Sequence, residues 1–137
     1  MACKVRVRGG YRALEAALEE HRRLIYEYNA LLRGTGYYLK PVHIVTRRTG
    51  SGRARYIYVG RYWWRISYAG KKGHTSKVKW IYVGKEKPRE LSDLPDPPSS
   101  PLQGLTARIE GDDIVLDEKL YRKYRWLFEG YEAVREC

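Results

Sequence analysis

Between Tyr11 and Arg33 a stripe runs through Leu14, Leu18, His21, Ile25, Tyr28 and Leu32, in steps of four, three, four, three and four. That spacing keeps one face of a 3.6-residue helix apolar and predicts a long helix over 11–33. Ala17, Leu24 and Leu31 widen the stripe. Glu15, Glu19 and Glu20 precede Arg22, Arg23 and Arg33, the order that suits the helix dipole, and Glu19 and Arg23 stand four apart. Gly34 ends the pattern. Upstream, Val5 and Val7 alternate with Lys4, Arg6 and Arg8, as in a short strand or arm that stops at Gly9-Gly10. Downstream, the period falls to two. Tyr37 to Arg47, Arg53 to Val59, Arg61 to Tyr68 and Lys77 to Val83 read as antiparallel strands. Thr49-Gly50-Ser51-Gly52 and Gly70-Lys71-Lys72-Gly73 are hairpin tips, and Gly60 marks a turn or bulge. Tyr56-Ile57-Tyr58-Val59-Gly60 is echoed by Trp80-Ile81-Tyr82-Val83-Gly84, which suggests two strands with similar seats in one sheet.

Five of the six prolines fall between 88 and 104, a composition that favours extended, solvated backbone and predicts a linker. Beyond it, Thr106 to Glu110 and Ile114 to Leu116 read as a hairpin turning at Gly111-Asp112-Asp113. Asp117 is placed to cap a helix from Glu118 to about Arg135, with Leu120, Tyr124, Leu127, Phe128 and Tyr131 on its apolar face. The expected fold is α+β: an antiparallel three- to four-stranded sheet backed by the long N-terminal helix, with a C-terminal β-hairpin plus helix. The expected organisation is a helix-plus-sheet unit at 1–88, a linker at 89–104 and an acidic hairpin-helix unit at 105–137.

Charge sharpens this picture. The chain carries a net +11, and the stretch from Val42 to Pro88 alone has twelve basic groups against one acid, Glu86. The flanks cancel, since residues 1–41 carry +4 and residues 89–137 carry −4. A self-repelling concentration of this kind calls for a polyanion, and nucleic acid is the common one. Alternation along the strands sorts the side chains into two faces. Arg53, Arg55, Trp63, Arg65, Lys77 and Lys79 share one. Trp64, Ile66, Tyr68, Val78, Trp80 and Tyr82 share the other. The second set reads as the core face under the helix, and the first as an open basic surface with an exposed indole. Arg47 and Arg48 at one tip and Lys71 and Lys72 at the other are placed to grip backbone, and His74 sits beside the second. Arg53, Arg55 and Arg65 are the candidates for base edges, and Lys71, Lys72, Lys77 and Lys79 for phosphates.

The stretch from Tyr62 to Lys85 has basic and aromatic strands around a Gly-Lys hairpin, closing on Ile81-Tyr82-Val83-Gly84-Lys85. It resembles small basic sheet modules in proteins of archaea, their viruses and mobile elements. It also resembles the three-stranded DNA-reading sheet of integrase arm-binding domains. The resemblance implies DNA binding and assigns no individual residue.

Catalytic signals are weak. His21, His43 and His74 fall in no metal-ligand spacing, Asp112-Asp113 reads as a polar turn, and there is no Walker-type glycine loop. The expectation is a non-enzymatic protein without cofactor, metal or small-molecule substrate, whose partner is double-stranded DNA. Two alternatives stay open. One is RNA or single-stranded nucleic acid, stacking on Trp63 and Tyr56. The other is a module that docks acidic protein surfaces. The Leu14, Leu18, Ile25, Leu32 stripe packs on the chain's own sheet or, alternatively, pairs two copies as a homodimer. With only Cys3 and Cys137, no apolar run of membrane-spanning length and no leader-like start, a reducing cytoplasm is the simpler reading; a bond between the two cysteines is the alternative. A single Asn, Gln and Met amid abundant charge suggests a hot-living host, such as a thermophilic archaeon or its virus.

Overall fold

The computed structural model describes residues 2–50, 52–72 and 75–137, and the side chains of these apart from 69, 71, 72, 75 and 76. Ser51, Gly73 and His74, and the side chains of Lys71 and Lys72, therefore lie outside the described residues. The fold is α+β with a large antiparallel sheet. In chain order its elements are β1 (Lys4–Val7), α1 (Gly10–Asn29), β2 (Tyr37–Thr49), β3 (Gly52–Lys72), β4 (Thr75–Gly84), β5 (Thr106–Glu110), β6 (Asp113–Asp117), α2 (Glu118–Lys123) and β7 (Ala133–Glu136). The sheet has seven strands rather than three or four. Its order is β2-β3-β5-β6-β1-β7, with β4 also paired to β3.

The 21-residue β3 is the spine of the sheet. Gly60 does not break it, so the two strands expected at Arg53–Val59 and Arg61–Tyr68 are one. One edge of β3 takes β2 along 52–65, from the Thr49↔Gly52 pair to Tyr37↔Arg65. The other edge takes β5 along Arg55–Tyr58 and β4 from Trp63 onward. The hairpin β5–β6 then carries the sheet to β1 and β7. The acidic C-terminal segment thus belongs to the same sheet as the N-terminal strand.

The helix runs close to its expected bounds, with a 3-10 turn at Ala30–Leu32 before Gly34. Gly10 at its start lies against β1 and β6: a Cβ there would meet Val7 at 2.8 Å and Ile114 at 3.1 Å. Leu14 and Leu18 pack with Ile57, Val59, Ile114 and Leu116, while Ile25, Tyr28 and Leu32 pack with Leu39 and Trp63. All four residues considered for dimerisation are spent inside the chain, at 0–2% exposure. Arg23 pairs with Glu20 and Glu27 rather than with Glu19.

Three further expectations are corrected. Helix α2 stops at Lys123 and gives way to a 3-10 turn at Arg125–Phe128 and then to β7, because Tyr124 and Phe128 are drawn into the core beside Leu102 and Leu105. The proline-rich stretch is held against the body. Leu91 and Leu102 are buried, Arg61 donates to the carbonyls of Pro97 and Pro98 at 2.9 and 2.8 Å, and Tyr28 donates to Pro95 at 2.6 Å. The cysteines are bonded to each other, Cys3 on the approach to β1 and Cys137 just past β7, where strand pairing sets their Cα atoms 4.3 Å apart.

Two outcomes follow. The Cys3–Cys137 bond closes nearly the whole chain, and loop-closure entropy assigns such a bond about 4–5 kcal/mol. Reduction, or Cys137→Ser, lowers Tm by on the order of 10 °C. His21 is 2% exposed, with Nε2 3.2 Å from the Pro41 carbonyl. Burial, with Arg61 and Arg22 nearby, holds its pKa below the ordinary 6.5, against a smaller upward pull from the Pro41 and Gly60 carbonyls. The unfolded chain therefore takes up this proton first. The His21 contribution is intact above pH 6.5 and is lost as pH falls from there toward the folded pKa. Urea unfolding at pH 7.5, 6.5 and 5.5 shows this loss in the wild type and not in His21→Leu.

Candidate nucleic-acid interface

Register identifies the two faces residue by residue, since directly paired residues in an antiparallel sheet point the same way. The helix-facing side holds Ile57, Val59 and Trp63 of β3 with Leu39 of β2, Ile109 of β5, Ile114 and Leu116 of β6, and Val5 and Val7 of β1. Trp63 is 1% exposed and edge-on to Tyr28 at 6.2 Å. The exposed indole expected at this position is instead a core residue, and it is not a stacking platform. Arg53, Arg55, Arg65, Lys77 and Lys79 are all exposed. They do not form one surface. Arg53 and Arg55 stand at the β2–β3 tip, beside Arg48 and Thr46. Arg65 and Lys79 stand beyond the other end of the buried stretch. Ten residues of strand separate Arg55 from Arg65, roughly 33 Å at ~3.3 Å per residue.

The face expected to be core is the open one. Tyr68, Val78, Trp80 and Tyr82 are 62%, 50%, 43% and 46% exposed. Their neighbours join them in a run of ring contacts across three strands. Tyr38 on β2 meets Trp80 on β4 at 5.5 Å, and Trp80 meets Trp64 on β3 at 6.4 Å. Trp64 meets Tyr82 at 5.3 Å, and Tyr82 meets Tyr62 at 6.4 Å. Tyr62 meets His43 at 5.8 Å, and His43 meets Tyr58 at 6.3 Å. Partial burial pushes the hydroxyl pKa of Tyr62 and of Tyr38 upward, so both remain neutral donors. The Lys40 ammonium lies over both indoles, 4.7 Å from Trp64 and 4.9 Å from Trp80, and the Arg47 guanidinium lies 5.3 Å from Tyr56.

Charge divides this face in two. β2, β3 and β4 contain no acidic residue. The acids of the open face lie on β5, β6 and β7, where Glu110, Asp113 and Glu136 are taken up by arginines and Asp117 stands opposite Lys4. Arg6 contacts Glu110, Asp113 at 3.4 Å and Glu136 at 2.6 Å, and Arg108 reaches Glu110 at 3.1 Å. The Arg6 pKa is raised, chiefly by Glu136 and then Glu110. The aromatic half is therefore basic and the other half close to neutral.

Among the described side chains, the open face keeps two of the residues expected at the interface, Arg47 and Tyr56, the guanidinium seated over the ring. Tyr38, Lys40, His43, Tyr62, Trp64, Trp80 and Tyr82 were not expected there. The alternation had already gathered Trp64, Trp80 and Tyr82 onto one face. The missed signal is that this set is mostly aromatic, whereas Ile57 and Val59 beneath the helix are aliphatic. No protein-family model, curated protein or solved structure matches the chain. Among the described residues no helix is long and apolar enough to cross a membrane.

The two neighbouring tryptophans separate the faces experimentally. Trp63→Ala removes about 3–5 kcal/mol of folding stability, as a buried aromatic should. Trp80→Ala costs about half as much or less, because 43% of its surface already meets water in the folded protein. Chemical denaturation of the two variants measures both.

Proposed function

We propose that the chain binds single-stranded nucleic acid along its open sheet face. One observation carries the reading: a continuous row of rings, exposed or half-buried, on the open face of three strands that hold no carboxylate, with Lys40 over two of them and Arg47 over the nearby Tyr56. Unpaired bases offer flat apolar faces to Trp and Tyr rings, and stacking is worth ~1–3 kcal/mol per base. The linked phosphates offer what Lys40 and Arg47 lack nearby, a negative charge. A duplex keeps its base faces stacked inside and cannot use such a row. From Tyr58 to Trp64 the row extends roughly 20 Å along β3, room for a short extended strand.

A second reading, duplex DNA binding, has its own support. The β2–β3 ribbon ends in Arg48 paired with Arg53 and Arg47 with Ala54, and Arg55 lies one residue further along β3. A two-stranded ribbon fits the major groove, and arginines can read guanine there.

Fluorescence anisotropy with a labelled 12-mer, as single strand and as duplex, over a salt series separates the two. The single strand binds tighter, with a negative log–log salt slope. Trp80→Ala weakens it about tenfold at every salt concentration. Lys40→Glu flattens the slope by about 0.7, one phosphate contact. Equal single-strand affinity for Trp80→Ala and wild type contradicts the proposal. Tighter duplex binding that Arg53→Ala abolishes establishes the second reading in its place.

A further inference from the structure

Within the row of rings, His43, Tyr62, Trp64 and Tyr82 stand around a cleft of about 340 Å³. Its walls are tilted rather than parallel: His43 to Tyr62 by 46°, Tyr62 to Tyr82 by 44°, and Trp64 to Tyr82 by 56°. Backbone irregularity shapes it. The β2–β3 register shifts between Lys40 and Val42, so that Pro41 alone stands against Gly60 and Arg61 and His43 comes onto the open face. The β3–β4 register shifts between Trp63 and Trp64, leaving Val83 as the extra residue beside Tyr82. The Tyr62 ring lies back over the strand at Gly60, where a Cβ would be in ordinary van der Waals contact with it, 3.4 Å from the hydroxyl. Irregularities of this kind re-aim side chains, and they gather beside binding sites.

We infer that this cleft is a pocket for one nucleobase turned out of a bound strand. The inference rests on the single-strand reading above and deepens it. Four ring walls suit a flat heterocycle better than an aliphatic chain, and the volume falls in the range of small-ligand sites. Aromatic enclosures also hold quaternary ammonium groups. Here the charge is wrong for a cation: no acid lies on the surrounding strands, and the Lys40 ammonium already sits 4.7 Å from the Trp64 ring. That ammonium is instead placed for the phosphate attached to the base.

The test compares a thymidine 12-mer with an abasic 12-mer of the same phosphate count, by anisotropy at one salt concentration. The proteins are the wild type, His43→Ala and Tyr82→Ala, each first checked for an unchanged melting temperature; both residues are exposed. Wild type prefers the thymidine strand by about tenfold or more, the scale of one stacked base. Both variants lose most of that preference and keep wild-type affinity for the abasic strand. Preservation of the preference in both variants overturns the pocket and leaves strand binding standing. Equal wild-type affinity for the two strands overturns the pocket and reduces binding to phosphate contacts. Failure of the wild type to bind either strand sinks both the pocket and the single-strand reading.

Discussion

A 20-residue α-helix is about 30 Å long, whereas a 21-residue strand extends roughly 70 Å. The chain has one long helix and hangs its sheet on one such strand. The helix can cover a single side, and only part of its length. Where the cover falls decides the rest. Beneath α1 lie the aliphatic positions of β3 and the short strands β5, β6 and β1, which close the core at the protein's other end. Past it, β3 continues with β4 beside it, and their side chains meet solvent on both sides: Ile81 at 40% and Trp80 at 43% exposure point opposite ways. The internal echo makes the same point. Ile57 and Ile81 occupy equivalent places in the repeated pentapeptide, yet Ile57 is fully buried.

The sequence made the local elements readable and left their assembly open. The 4-3 stripe of α1 is a strong periodic signal, and its bounds were legible to within a few residues because Gly10 and Gly34 bracket it. The two-residue alternation correctly sorted Trp63 from Trp64. It did not say which would be inside, because alternation is symmetric between faces and the covering layer is a tertiary fact. Counting apolar residues favoured the Trp64 side, for Trp and Tyr count as hydrophobic although their rings suit interfaces as readily as cores. Gly60 reads as a turn or bulge, and it is a bulge: β3 runs on unbroken while its register with β2 shifts at Gly60 and Arg61, opposite Pro41. The prolines looked like a linker because their cover comes from residues distant in sequence, among them Arg61 and Tyr28. Pairing of β7 with β1 was out of reach of any local pattern, and with it the meeting of Cys3 and Cys137.

Electrostatics follow from the same topology. The C-terminal hairpin brings Glu110 and Asp113 into the sheet beside Arg6 and Arg108, which take them up in ion pairs. On the open face the unpaired positive charge among the described side chains, Lys40 and Arg47, is thus on the half that bears the rings. An apolar surface of that size would invite self-association, and charge is the usual guard against it. In this molecule the guard is basic, which matches an anionic partner with flat apolar groups better than another copy of the same chain.

The claim at the centre of this account is that the face carrying Trp64 and Trp80, and not the side carrying α1, meets nucleic acid. Ultraviolet cross-linking of the wild type to a single-stranded oligonucleotide, with the modified residues located by mass spectrometry, tests it directly. The account predicts cross-links at Trp64, Trp80, Tyr82 or Tyr62. Cross-links confined to peptides bearing Arg53, Arg55 and the α1 side, with these rings unmodified, would contradict it.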